Sequence, residues 1–98
     1  MGKFLLTDES VEHLKAIANY SRKTWGIQQQ KQYLSGLRSV LSQLSETPLM
    51  GTLRFTAEHI YSFPYVSHMI YYRIQQDQII ILAVLHQSMT PEVHLKKE

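Results

Sequence analysis

The 98-residue chain has no cysteine, three prolines, four glycines and one tryptophan. Without thiols there is no disulfide framework, no thiolate metal site and no cysteine nucleophile, and a reducing compartment suits the chain. Gly2, Gly26, Gly36 and Gly51 stand alone, so no glycine-rich loop is present to cradle a phosphate. A Gly-x-Ser-x-Gly nucleophile elbow is also missing. Long apolar runs are absent too. The longest, Ile79 to Leu85, has seven residues, against the ~20 that span a bilayer. Phe4, Leu5 and Leu6 are too few for a signal-peptide core, and Asp8 and Glu9 follow at once. Charge of one sign is scarce: ten Lys and Arg face eight Asp and Glu, for a net charge of +2. Lys3, Arg22, Lys23, Lys31, Arg38, Arg54, Lys96 and Lys97 are scattered, whereas a duplex-binding helix concentrates its cations. These absences lead us to expect a soluble cytoplasmic protein with no membrane segment and no direct sequence-specific nucleic-acid binding.

What is present suits a globular fold. Hydrophobic residues make up 44% of the chain, too many for a disordered tail. The length allows one domain, taken here as residues 1–98. Phe4 to Leu6 reads as a short strand. Thr7 offers an N-cap hydroxyl, and Asp8 and Glu9 place negative charge on the first helical turn. Val11, Leu14, Ile17, Ala18, Ser21 and Trp25 then form one helical stripe, closed by Gly26. Tyr33, Leu34, Leu37, Val40, Leu41 and Leu44 mark a second helix from about Gln28 to Ser45, ended by Pro48. The short connection predicts an antiparallel helical hairpin. Gly36 costs ~1 kcal/mol inside a helix relative to Ala, and close packing where the helices cross is one reason for it.

Past Gly51 the period changes. Ile60 to Phe63, Val66 to Gln75 and Gln78 to His86 read as three strands, the last two joined by a tight turn at Gln76-Asp77. Pro64 predicts a bulge or bend rather than a paired position. Thr90, Pro91 and Glu92 start a short C-terminal helix. Ile79 to Leu85 is apolar on both faces, the mark of a central strand covered on both sides. The hairpin covers one face, and a partner protein is expected to complete the other. The resulting fold class is α+β: an N-terminal strand, a helical hairpin, a three-stranded antiparallel meander and a short C-terminal helical segment.

The candidate chemistry lies at the strands. Alternation places His68, Ile70 and Tyr72 on one face and Met69, Tyr71 and Arg73 on the other. His86 ends the last strand, with Gln87, Ser88 and Met89 next and His94 further on. Imidazole, guanidinium and phenol can move protons on RNA or anchor a protein surface. The plain alternative is that Tyr71 and Tyr72 pack in the sheet while Arg73 pairs with a carboxylate. His59, His68, His86 and His94 lack metal-ligand spacing and acidic company, so neither a metal nor a cofactor is expected.

Several words in order carry a resemblance. They are Leu6-Thr7-Asp8-Glu9, Trp25-Gly26, Tyr33-Leu34 with Leu37, Pro48 with Gly51, and Ser62-Phe63-Pro64. They continue with Ser67 through Arg73, Val84-Leu85-His86-Gln87, and Pro91 through His94-Leu95. Together they span nearly the whole chain, and the sequence resembles the ParE branch of the ParE/RelE toxin superfamily. The resemblance implies a bacterial toxin of a type II toxin–antitoxin pair, of the kind linked to plasmid stabilisation and growth arrest. It would inhibit DNA gyrase, and thereby replication, without catalysis of its own. A ParD-like antitoxin would restrain it within a higher-order complex. The implied target contacts are Arg73, His86, Gln87, Ser88, Met89 and His94.

The RelE-like alternative is a ribosome-dependent mRNA endoribonuclease using His68, Arg73, His86 and His94. The aligned cleaving positions hold His68, Ser88 and His94 here, so two strongly basic positions are lost, which favours the gyrase branch. Many ParE sequences carry arginine where this chain has Ala83 and Ser88, and an acid where it has Thr90. A degenerate antitoxin-binding protein without toxicity is the third reading.

Overall fold

The computed structural model describes residues 3–95; Lys96 and Lys97 lie outside them. The elements run β1 (Lys3–Leu6), α1 (Asp8–Trp25), α2 (Ile27–Glu46), a 3-10 turn (Pro48–Met50), β2 (Thr52–Phe55), β3 (Ile60–Tyr65), β4 (His68–Gln75), β5 (Gln78–His86) and α3 (Pro91–Leu95). Five strands form one sheet in the order β1-β5-β4-β3-β2. β1 pairs with β5 in parallel, and the other neighbours are antiparallel.

The helices form for the reasons the sequence suggests. The Thr7 hydroxyl accepts the Ser10 amide at 3.2 Å, and Asp8 and Glu9 occupy the first turn of α1. Gly26, at φ +96°, is the sole residue between the helices, a conformation that disfavours any residue with a Cβ. Ile17, Tyr33, Leu37, Leu41 and Leu44 lie in one core with Ile70, Tyr72, Ile79, Ile81 and Val84. The hairpin therefore covers one face of the sheet.

Four expectations need correction. Thr52–Phe55 is a strand at the sheet edge, where the sequence predicts a loop. It is mostly exposed and only four residues long, too short for the alternation of Thr52, Leu53, Arg54 and Phe55 to mark a strand, and its register shifts between Leu53 and Phe55. Second, Pro64 lies in register opposite Met69 within β3 rather than at a bulge. The pairing of β2 stops at Ser62, so β3 has a single neighbour there, and an edge tolerates proline. Third, β4 begins at His68, because Val66 turns at φ +53°. Fourth, Gly36 serves the sheet rather than the helix crossing: a Cβ there would collide with the Tyr65 hydroxyl. That hydroxyl donates to the Tyr33 carbonyl at 2.8 Å.

The face opposite the hairpin is also more complete than expected. Ile60, Tyr71, Ala83 and Leu85 form a second buried cluster, with Phe55, Met69, Leu82 and Leu95 of α3 packed on it. Ala83 and Leu85 are each only 1% exposed. The chain's own α3 and edge strands thus close much of the surface assigned to a partner, leaving Ile80 and Leu82 half-buried.

Candidate functional site

A bulge in β5 builds the site. Tyr71 pairs with Ala83 and Tyr72 with Ile81, so Leu82 is the extra residue. Before it, Ile79 and Ile81 face the hairpin; after it, Val84 does. Without the extra residue, strict alternation would send His86 to the far side. With it, His86 pairs with His68, and the two rings meet edge to face with centroids 5.5 Å apart. Thr7 ties the bulge to the start of α1, its hydroxyl lying 3.0 Å from the Ile81 carbonyl oxygen and 3.2 Å from that of Leu82. Further along α1, His13 Nδ1 accepts the Val84 amide at 3.3 Å.

Around the imidazole pair is an aromatic wall. Tyr33 of α2 places its hydroxyl 2.6 Å from His68 Nδ1. Trp25, closing α1, packs edge-on to Tyr20 at 5.7 Å and tilted against Tyr33 at 6.5 Å. Tyr33 also meets Tyr65 at 5.0 Å. After β5 the chain turns back: the Gln87 amide donates to the Ser67 carbonyl at 2.9 Å, and the Ser88 amide to His86 Nδ1 at 3.1 Å. Between these groups lies a cavity of about 370 Å³, lined also by Ala16, Leu85 and Met89. Among the described residues its lining contains no Asp, Glu, Lys or Arg.

Burial sets the titration of this cluster. It pushes the His68 imidazole below its ordinary value, and the adjacent His86 pushes the same way. Burial raises the Tyr33 phenol, against smaller opposing hydrogen bonds from Ser67. At neutral pH the cluster holds a neutral imidazole at His68 and a neutral phenol at Tyr33.

The residues expected to act together divide between the two faces. His68, His86 and Met89 line the cavity, and Ser88 Oγ lies 2.8 Å from His86 Nδ1. Arg73 and His94 line a second hollow of about 280 Å³ on the far side, with Thr7, Glu9, Ile60, Leu82 and Leu95. Arg73 donates from Nε to the Glu58 carbonyl oxygen at 2.9 Å. The His94 ring also meets that of His13, a wall of the first cavity, with centroids 6.2 Å apart. Tyr71 and Tyr72 are buried as the plain alternative held. Tyr72 donates to the Pro48 carbonyl at 2.5 Å and accepts the Gly51 amide at 3.1 Å. No group of three or more His, Asp or Glu suited to a metal occurs among the described residues.

Sequence reasoning missed His13, Tyr20 and Ser67 as parts of this site. It placed Trp25 on the buried stripe, yet that side chain is 53% exposed. Tyr33 was legible as a core position, but its hydrogen bond to His68, 35 residues away, leaves no local signal.

Known proteins resemble the chain along nearly its whole length. The model of the ParE toxin of the type II toxin–antitoxin system, parDE, matches residues 4–91. The chain belongs to the ParE toxin family. It is 31% identical to Toxin ParE1 of Caulobacter vibrioides over 97% of this chain and 99% of that one. Toxin ParE1 of Mycobacterium tuberculosis (strain H37Rv) is 27% identical over 96% of this chain and 98% of its own. Among solved structures, the chromosomal ParDE TA system from P. aeruginosa superposes with a TM-score of 0.73. At 15% identity, over 88% of this chain and 96% of the other, that likeness shows a shared fold. This ParE-type toxin has, among its described residues, no helix long and apolar enough to cross a membrane.

Proposed function

We propose that this ParE-type toxin binds DNA gyrase and stops supercoiling, and with it replication, without a catalytic step of its own. A ParD-like antitoxin restrains it in a higher-order complex. The observation that carries the non-catalytic reading is the division of the polar residues. Cleaving RNA needs a proton-transfer group and a cation at the same phosphate. Here the imidazole pair sits in a cavity without charged side chains, while Arg73 lies beyond the sheet. Aromatic residues and Met89 around a pocket instead suit the recognition of a protein surface. The segment His86 to Met89 is the proposed target contact.

Purified toxin in excess is expected to abolish supercoiling of relaxed plasmid by gyrase, and co-purified antitoxin to restore it. Undiminished supercoiling at excess toxin would overturn the proposal. In a complete translation system mRNA is expected to stay intact, and position-specific cleavage would replace this reading with the endoribonuclease one. Unchanged growth on expression without antitoxin would point to the degenerate, non-toxic reading.

A further inference from the structure

The cavity beside the imidazole pair has a chemistry that identifies a class of small ligand. Its volume of about 370 Å³ falls at the lower end of small-molecule sites and suits one fused two-ring molecule. Its broad walls are Tyr20, Trp25 and Tyr33, with Val84, Leu85 and Met89 completing an apolar lining. The protons can be traced. The Tyr33 hydroxyl lies 2.6 Å from His68 Nδ1 and can donate its proton to that nitrogen. The Ser88 amide likewise points at His86 Nδ1. A ring whose Nδ1 accepts presents its proton on Nε2. The lining therefore offers N–H donors and aromatic surface but no fixed charge. An ionic ligand would shed its hydration there without a counter-ion.

We propose that this cavity binds a small, flat, uncharged heteroaromatic molecule bearing a hydrogen-bond acceptor. Its rings lie against Trp25 and Tyr33, and its acceptor takes the Nε2–H of His68 or His86. The site is distinct from the groove between the helices and β1, which is lined by Phe4, Leu14, Leu34, Leu37 and Leu41 and flanked by Lys15 and Arg38. Nothing in the proposal depends on which target the toxin attacks.

The test uses the full chain at pH 8 with isoquinoline, a neutral two-ring acceptor. Trp25 is the only tryptophan, so its indole N–H resonance reports on the cavity mouth. Saturable shifts of Trp25 and of the His68 and His86 ring protons are expected. Binding of 2-naphthoate, which is anionic, and of naphthalene, which lacks the acceptor, is expected to be about tenfold weaker, equivalent to 1.4 kcal/mol. Ala16 lines the cavity from an exposed position on α1, so Ala16→Phe should fill the space and abolish binding while the circular dichroism spectrum stays unchanged. Tyr20→Ala, also at an exposed position, removes one wall and should weaken isoquinoline severalfold even where Ala16→Phe perturbs the fold. Absence of saturable shifts up to about 1 mM isoquinoline, equal binding of 2-naphthoate, or unaltered binding to Tyr20→Ala would each overturn the assignment.

Discussion

His68 titrates below an ordinary histidine because burial, helped by His86, disfavours its cation. The unfolded chain, with an ordinary value near 6.5, takes up that proton first as the solution is acidified. The folded state is thus fully favoured above about pH 6.5, and stability falls as pH drops from there through the lower folded value. Urea midpoints measured from pH 8 to pH 5 should decline more steeply for the natural chain than for His68→Gln. Equal slopes would show that this imidazole does not link protonation to folding. Tyr72 makes a second prediction at this scale. Its hydroxyl serves both the Pro48 carbonyl and the Gly51 amide, which are half-buried, so Tyr72→Phe removes both hydrogen bonds. A loss of about 1 kcal/mol is expected from urea unfolding.

The decisive element is β5. Thr7 caps α1 and holds the β5 bulge with one hydroxyl, so Thr7→Val removes both functions at constant shape. It should cost about 1–3 kcal/mol and weaken the NMR contacts between the His68 and His86 rings, while Thr7→Ser should preserve them. The cap itself was legible, as were both helices, the Gln76-Asp77 turn and the central position of Ile79 to Leu85. The bulge was not. In a strand apolar on both faces, an extra residue leaves the hydrophobic pattern unchanged, so the side taken by His86 could be learned only from its pairing with β4. Val66 shows a different gap between sequence and fold. A β-branched residue favours extended backbone, yet it turns at φ +53° and its side chain is 74% exposed. Packing returns little for the strain, and Val66→Asn should raise stability by about 1 kcal/mol in urea unfolding.

At the scale of the whole molecule, two chemically different surfaces share one sheet. The hairpin side presents an uncharged aromatic cavity, and the other presents Arg73, His94 and Glu9 around a polar hollow. That second side depends on α3, whose Leu95 packs over the cluster of Ile60, Tyr71, Ala83 and Leu85. Truncation after Thr90 should expose that cluster, lower stability by about 1–2 kcal/mol and increase binding of a hydrophobic dye. If gyrase is met through His86 to Met89, the truncated chain should retain inhibition in proportion to its folded fraction. Complete loss at full folding would place the contact in α3.

The parallel pairing of β1 with β5 also governs the order in which the molecule can be completed. Phe4 sits opposite Ile79, and Thr7 reaches the Ile81 carbonyl across 74 positions of chain. Segments so far apart in sequence meet late and slowly, because closing the intervening loop costs entropy before any pairing is gained. During synthesis the N-terminal strand must therefore wait, unpaired, until β5 has left the ribosome. A nascent chain stopped before Gln78 lacks both the strand that β1 pairs with and the histidine that meets His68, so the aromatic cavity is assembled only once β5 has emerged.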